Sequence, residues 1–412
     1  MNRVARRWFY YLLCLGLVVS LTIFSLSSPP VYSQKVTVTT EIRGVWLTNV
    51  ASGVLFVPWG INRALNQLSA LNFNTVYPVV WNRGQTFYKS AVAKNFTGSD
   101  IQPFLKLMHG GRDTLTTLVK LSKTKGLSII PWFEYGLMTP HNSQLAKRYP
   151  DWLTIGQEEI NSIQDNLPEE IDNGLVTKQA WLNPLHPEVQ KFIQALIVEV
   201  VKNYDVDGIQ LDDHFGMPVQ FGYDPFTIDL YQQEHQGKSP PSNPFNSEWM
   251  RWRADKITDL MAEIYQAVKA VKPNARISLS PNYQAFAYKY YLQDWESWVK
   301  KGLVNELILQ VYRNDQSSFI AQLKQPAVEF ARSQIPVGIG ISTGTPRNPV
   351  QIAQIRKQVQ AVRDRNFNGV SFFYWESLWG YITPESPQQR RKVFLKMFDA
   401  KAVRPSLPLE RV

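Results

Sequence analysis

Cysteine is all but missing from this chain. The single one, Cys14, lies in an N-terminal apolar run. The rest of the sequence therefore holds no disulfide scaffold, thiol nucleophile or cysteine metal site. Histidine is scarce too: His109, His141, His186, His214 and His235 form no HxxxH pair. No glycine-rich phosphate loop is present. The nearest segment, Gly338-Ile339-Gly340, sits in a strand-like run and lacks the third glycine of a dinucleotide fingerprint. A GxSxG elbow for serine-based hydrolysis is also lacking. The net charge is +10, but the basic residues are dispersed rather than gathered in an aromatic-interleaved stripe, so nucleic-acid binding is unsupported.

What is present describes a folded, aromatic-rich, exported protein. The 412 residues are 44% hydrophobic and 19% charged, which excludes a disordered chain. Tryptophan (13) and tyrosine (18) are abundant, a first hint of ligand chemistry. Arg3, Arg6 and Arg7 precede an apolar run from Trp8 to about Leu26, and Ser27-Ser28-Pro29-Pro30 follows. That order is the charged, apolar and breaker segments of a secretory signal. Residues 1–33 are read as a signal peptide cleaved before Gln34, or as an uncleaved N-terminal anchor. Membrane contact is then confined to residues 8–26, and the bulk is periplasmic or extracellular.

Eight short β-rich apolar runs alternate with helical patterns. The runs are Ile42–Thr48, Thr75–Trp81, Ser128–Glu134, Gly208–Asp212, Arg276–Pro281, Glu306–Tyr312, Pro336–Ile341 and Gly369–Trp375. The helical patterns span 62–71, 112–125, 187–203, 247–271, 292–300, 317–331, 350–366 and 387–398. Strand–helix repeated eight times fits an α/β fold, a closed (β/α)8 TIM barrel over residues 34–400, with 401–412 as a C-terminal tail. Extra length falls at 135–186 and 213–246, after strands three and four. Both are βα connections, which rise over the face where barrel active sites lie.

Acids stand at the ends of these strands. Side chains alternate along a strand, so in Gly208-Ile209-Gln210-Leu211-Asp212 the residues Gln210 and Asp212 face the barrel axis. Asp212 then points into the mouth and Asp213 opens the loop. Two adjacent carboxylates repel, and one pKa rises unless a cation or donors hold the pair. Glu134 ends strand three among aromatics, where desolvation suits a general acid. Asp315 follows strand six, as a partner acid or as the cap of the helix starting near Ser317. Glu376 follows strand eight, as another acid or a partner for Arg43 or Arg313. Trp46, Trp81, Trp132, Tyr312, Trp375 and Trp379 cluster at the same ends, and their faces suit the CH patches of sugar rings. Asn49, Asn82, Asn183 and Asn282 are placed to bond hydroxyls, and Arg313 to hold a carboxylate. Asp213-His214 is a bare hint of a metal site, and neither a metal nor a cofactor is required by the chemistry favoured here.

Several segments carry a family resemblance. They are Glu41-Ile42-Arg43-Gly44-Val45-Trp46-Leu47-Thr48-Asn49, Asn72-Phe73-Asn74-Thr75-Val76-Tyr77-Pro78, Ile130-Pro131-Trp132-Phe133-Glu134 and Gly208-Ile209-Gln210-Leu211-Asp212-Asp213-His214-Phe215. Ser278-Leu279-Ser280-Pro281-Asn282, Gln310-Val311-Tyr312-Arg313 and Gly369-Val370-Ser371-Phe372-Phe373 fit as well. Together they resemble the glycosyl-hydrolase-like family 10 proteins, distinct from the family 10 xylanases, over about 41–385 in collinear order. The wording is most similar to cyanobacterial members. The resemblance implies an amylase-like TIM barrel with a nucleophilic Asp on strand four, matching Asp212. It also implies hydrolysis of glycan strands, since the family includes a hydrolase of denuded peptidoglycan.

The expectation is an exported glycosidase of a polysaccharide or peptidoglycan glycan strand. Asp212 acts as nucleophile or base, Glu134 as first choice of acid with Asp315 and Glu376 behind it, and Asp213 tunes Asp212. Two readings from other classes stand beside it: a non-catalytic surface glycan-binding barrel, and a metal-dependent deacetylase using Asp213 and His214.

Overall fold

The computed structural model describes residues 39–157, 179–345, 348–379 and 383–407. The expected signal segment, 1–33, lies outside the described residues. Eight parallel strands form a closed ring: β1 (Ile42–Leu47), β2 (Thr75–Asn82), β3 (Ser128–Ile129 with Trp132–Phe133), β4 (Gly208–Asp212), β5 (Arg276–Ser280), β6 (Glu306–Gln310), β7 (Val337–Ser342) and β8 (Gly369–Phe373). β8 pairs with β1 (Val370 opposite Arg43) and β1 with β2 (Val45 opposite Val76), which closes the barrel. The strands are buried almost throughout, as parallel strands covered on both faces must be. Pro131, which has no N–H to donate, separates the two pieces of β3.

Helices α1 (Pro58–Ala70), α2 (Thr114–Thr124), α3 (Pro187–Asn203), α4 (Ser247–Val271), α5 (Trp295–Lys300), α6 (Pro326–Gln334), α7 (Ile352–Arg363) and α8 (Pro387–Met397) ring the strands. Each buries one stripe; in α3 it is Val189, Phe192, Ile193, Leu196, Ile197 and Val200, at helical spacing. The pattern at 317–331 had suggested one helix. Two form, Gln316–Leu323 and α6, because Pro326 lacks the N–H that a continuous helix needs. α1 begins at Pro58, before the expected 62, since proline suits a first helical turn.

Side chains fill the barrel. A Cβ at Gly44 would lie 2.7 Å from Tyr77, so glycine makes room for that ring. Gly340 likewise leaves space for Trp46, which gives the Gly338-Ile339-Gly340 run a packing role. At the base, fully buried Glu306 meets Arg404, Arg276 (3.5 Å) and the Tyr77 hydroxyl, which donates at 3.2 Å. Arg404 belongs to the C-terminal segment, whose Ala402–Val403 pairs in parallel with Thr39–Thr40. Residues expected to be a tail thus close the barrel floor.

The two long connections sit on the opposite face. After β3, Gln179–Leu182 pairs antiparallel with Met138–Pro140 and Leu153–Thr154. After β4, buried Arg253 of α4 donates to the carbonyls of Val219 (2.6 Å), Pro244 (2.7 Å) and Phe221. One guanidinium thereby pins three points of that loop. Asn183 is a brace as well, donating to Asp224 (3.0 Å) and Thr227 (2.8 Å) from a fully buried position away from any rim.

Candidate active site

β3 and β4 run side by side with Leu211 opposite Phe133, so the next residues, Asp212 and Glu134, leave the barrel as neighbours. Both carboxyls are buried, at 3% exposure each. Glu134 accepts from Thr48 Oγ1 (2.7 Å to Oε1) and from Asn82 Nδ2 (2.9 Å to Oε2). Asn82 also donates to Asn49 (2.6 Å), so the end of β2 and the loop after β1 orient this acid together. Burial pushes the Glu134 carboxyl up to about 7, against the pull of those donors.

Asp212, Asp213 and His214 form one charged unit. His214 Nδ1 lies 2.7 Å from Asp213 Oδ1 and 3.5 Å from Asp212 Oδ2. Asn282 Nδ2 donates to Asp213 Oδ2 at 2.6 Å, and Gln310 Nε2 to Asp212 Oδ1 at 3.0 Å. Burial and the Asp213 charge raise Asp212 well above the ordinary carboxylate range. Burial opposes ionisation of Asp213 too, but the His214 charge and its hydrogen bonds more than offset it and hold Asp213 low. Burial disfavours the imidazolium, yet the two carboxylates raise His214 well above its usual value. Within the unit, burial and charge favour the neutral form of Asp212 and the charged forms of Asp213 and His214. Tyr135 meets the imidazole edge-on at 4.8 Å and Trp181 stacks on it at 5.9 Å, fixing the ring. Gln293 Nε2 bonds the Asp212 and Phe215 carbonyls at 2.9 Å each, which sets the turn that presents the unit.

The structure gathers some expected residues and turns others away. Asn49, Asn282 and Tyr312 join the acids; burial and the Asp212 charge raise the Tyr312 hydroxyl well above its usual pKa, and its ring stacks on Phe373 at 5.6 Å. Trp46 and Trp132 floor the mouth, packed against each other and Phe373, with Trp46 Nε1 donating to Gln210 at 2.7 Å. Trp81 is a correction: it faces the helix layer, edge-on to Phe192, because β2 slips register between Val79 and Trp81. Trp375 also points outward, to Arg63 of α1 at 5.2 Å, since it opens a short helix after β8. Among the described residues Arg313 meets no carboxylate; its guanidinium lies over Tyr283 at 5.7 Å. Asp315 is the helix cap, bonded by Ser317 and the Ser318 N–H, which lower it to about 2. Glu376 braces the loop after β1, accepting from Ser52 Oγ (2.5 Å) and the Val54 N–H (3.0 Å).

Sequence reasoning missed Thr48, Gln310 and Gln293, which carry no signal beyond standing at or beside a strand end. It also missed Arg83, an exposed cation 5.5 Å over the Tyr135 ring and electrostatically coupled to Glu134. Asp212, Asp213 and His214 each offer a ligand atom within 4.8 Å of the others, the spacing of a metal site. In this structure the 2.7 Å contact between His214 Nδ1 and Asp213 Oδ1 spans that same space.

The family model described as Glycosyl hydrolase-like 10 matches residues 41–362. The chain belongs to that family. Among curated members of known name, glycosyl hydrolase YngK of Bacillus subtilis is 24% identical over 309 residues, 66% of this chain and 54% of that protein. This glycosyl hydrolase-like 10 chain thus spans about half the length of that relative. Glycosyl hydrolase DigH of Escherichia coli is 24% identical over 340 residues, 70% of each chain. Among solved structures, the PgaB (BpsB) glycoside hydrolase domain from Bordetella bronchiseptica superposes with a TM-score of 0.60 at 13% identity, over 89% of this chain and all of that one. The catalytic domain of the Paenibacillus polymyxa β-amylase gives 0.56 at 11%, over 87% and 98%. These structural likenesses establish the barrel fold, amylase-like members included.

Proposed function

We propose that this chain is an exported glycoside hydrolase that cleaves glycan strands of the cell wall, with denuded peptidoglycan as the first substrate to try. The observation that carries the reading is two carboxyl systems meeting at the mouth in opposite protonation states. Glu134 rises to about 7 and so keeps a proton near neutrality, while Asp213, held low beside His214, supplies a carboxylate next to Asp212. Glycoside hydrolysis needs an acid for the leaving oxygen and a carboxylate for the sugar carbon or for water. In this proposal Glu134 gives its proton to the glycosidic oxygen. Asp212 is nucleophile or base once its proton has passed to the adjacent Asp213 carboxylate, and the His214 charge beside both carboxyls stabilises the anion in either place. The aromatic floor offers stacking, and Arg83 sits where a sugar carboxylate beside Glu134 would be met. Export rests on the charged, apolar and breaker order of residues 1–33.

The test is product analysis by mass spectrometry. Denuded strands, peptide-bearing peptidoglycan and neutral glucans are each incubated with the enzyme, Asp212→Asn and Glu134→Gln. New oligosaccharides from denuded strands, lost in Asp212→Asn, are expected. Products from glucans alone change the substrate and keep the mechanism. Binding without products on every glycan ends the enzymatic reading. The 4.8 Å cluster gives a metal-dependent hydrolase its one specific support; loss of activity on chelation, restored by a divalent cation, would favour it.

A further inference from the structure

We infer that a trough on the outer wall, between α1 and α8, is a second binding site for an anionic glycan strand, separate from the mouth. The inference rests on the glycan-acting reading above. The trough has a volume of about 640 Å³ and is lined by Trp59, Asn62, Arg63, Asn66 and Gln67 of α1 and Arg391 of α8. The trough is shallow and open along its length, a form that suits an extended strand rather than an enclosed small molecule. The five α1 residues recur at helical spacing and so share one face. Trp59 is 62% exposed, an unusual cost for so large an apolar ring. Arg63 lies 4.9 Å over Trp59 and 5.2 Å over Trp375, which holds its guanidinium at the trough wall.

The lining chemistry selects the ligand. The exposed part of the Trp59 indole left free by Arg63 takes a sugar CH patch, and three carboxamides supply donors and acceptors for hydroxyl and acetamido groups. The lining contains no acid, and among the described residues neither Arg63 nor Arg391 pairs with a carboxylate. Two unneutralised guanidinium groups call for carboxylates on the ligand. Two cations among three carboxamides fall short of the row of cations that tracks a nucleic-acid backbone.

Position ties the trough to the mouth. α1 follows β1 and α8 follows β8, which are paired neighbours. Both helices begin at the catalytic rim, and Trp59 and Arg391 lie near those beginnings. Trp375, at the top of β8, touches Arg63. A polymer that crossed the β8–β1 edge would reach both the mouth and the trough, and residence in the trough would then raise the local concentration of strand at the acids.

The test uses the full chain with Asp212→Asn as the non-hydrolysing background, in affinity electrophoresis through gels holding denuded peptidoglycan strands, polygalacturonate or dextran. Trp59→Ala, and Arg63→Gln with Arg391→Gln, are compared. All three positions are on the surface, and circular dichroism verifies folding. The expected result is retardation by the two anionic polymers and not by dextran. Each variant should weaken it about tenfold, equivalent to ~1.4 kcal/mol. In the active enzyme the same variants should leave turnover of tetrasaccharides unchanged while slowing turnover of long strands. Unchanged retardation in both variants overturns the site, as does wild-type retention by duplex DNA in preference to the anionic glycans. An enzyme that cleaves nothing yet loses retardation with Trp59→Ala would sink the glycosidase reading and leave the site standing.

Discussion

Glu134 is a single carboxyl that ties stability to pH and, in the proposed mechanism, rate as well. Its pKa rises from 4.5 to about 7 on folding, so the folded state holds the proton more tightly than the unfolded one. Stability from this group is complete below pH 4.5 and is lost as pH rises to about 7. The loss amounts to about 3 kcal/mol at most. Urea unfolding across that range should register the decline in the wild type and a flatter curve in Glu134→Gln, whose new amide the Asn82 carboxamide can rotate to accept. In the proposed mechanism the same group sets the basic limb of kcat/KM near pH 7. His214→Gln acts on the other limb. Without the imidazolium, Asp213 returns toward ordinary carboxylate values, so the acid limb moves to higher pH and kcat falls by about 10²-fold. A pH–rate profile identical to wild type would remove His214 from the mechanism.

At the scale of elements, periodicity made the eight strands and most helices legible, because apolar spacing directly reflects burial. The acids of β3 and β4 were legible for the same reason: strand parity fixes which side chain faces the axis. Trp81 and Trp375 were not, since a register slip in β2 and a short helix after β8 turn them outward, and neither leaves a mark in the local pattern. The long loop after β4 was visible only as surplus length. Its hold on α4 depends on Arg253, whose partners are carbonyls rather than acids. Arg253→Met leaves those carbonyls unpaired in a buried place. We expect a stability loss of about 3 kcal/mol, together with faster amide exchange in 217–223, read by mass spectrometry. Exchange rising uniformly over the barrel would instead mean that the loop is not separately held.

For the whole molecule, the floor is the least expected part. Glu306 sits on the axis with no exposure, and its charge is compensated from Arg404, nearly a hundred residues later in the chain. Nothing in the sequence around either residue points to the other, because the contact is made by chain closure and not by periodicity. Arg404→Met leaves Glu306 to Arg276 at 3.5 Å. Removing one partner of a buried ion pair costs about 3–5 kcal/mol, so thermal unfolding should fall well below the wild type with the mouth chemistry otherwise intact. A melting point unchanged by the substitution would show that the floor is not an anchor.

The parallel pair Thr39–Thr40 and Ala402–Val403 has one more consequence. Both ends of the barrel leave from one edge of its floor. A chain trimmed to this strand pair can therefore be joined by a short peptide and opened elsewhere, so a circular permutant of the barrel opened at an exposed helix junction should fold. Immobilising the protein through residue 39 on a bead turns the floor to the bead and the mouth to the medium, with insoluble substrate free to approach from above.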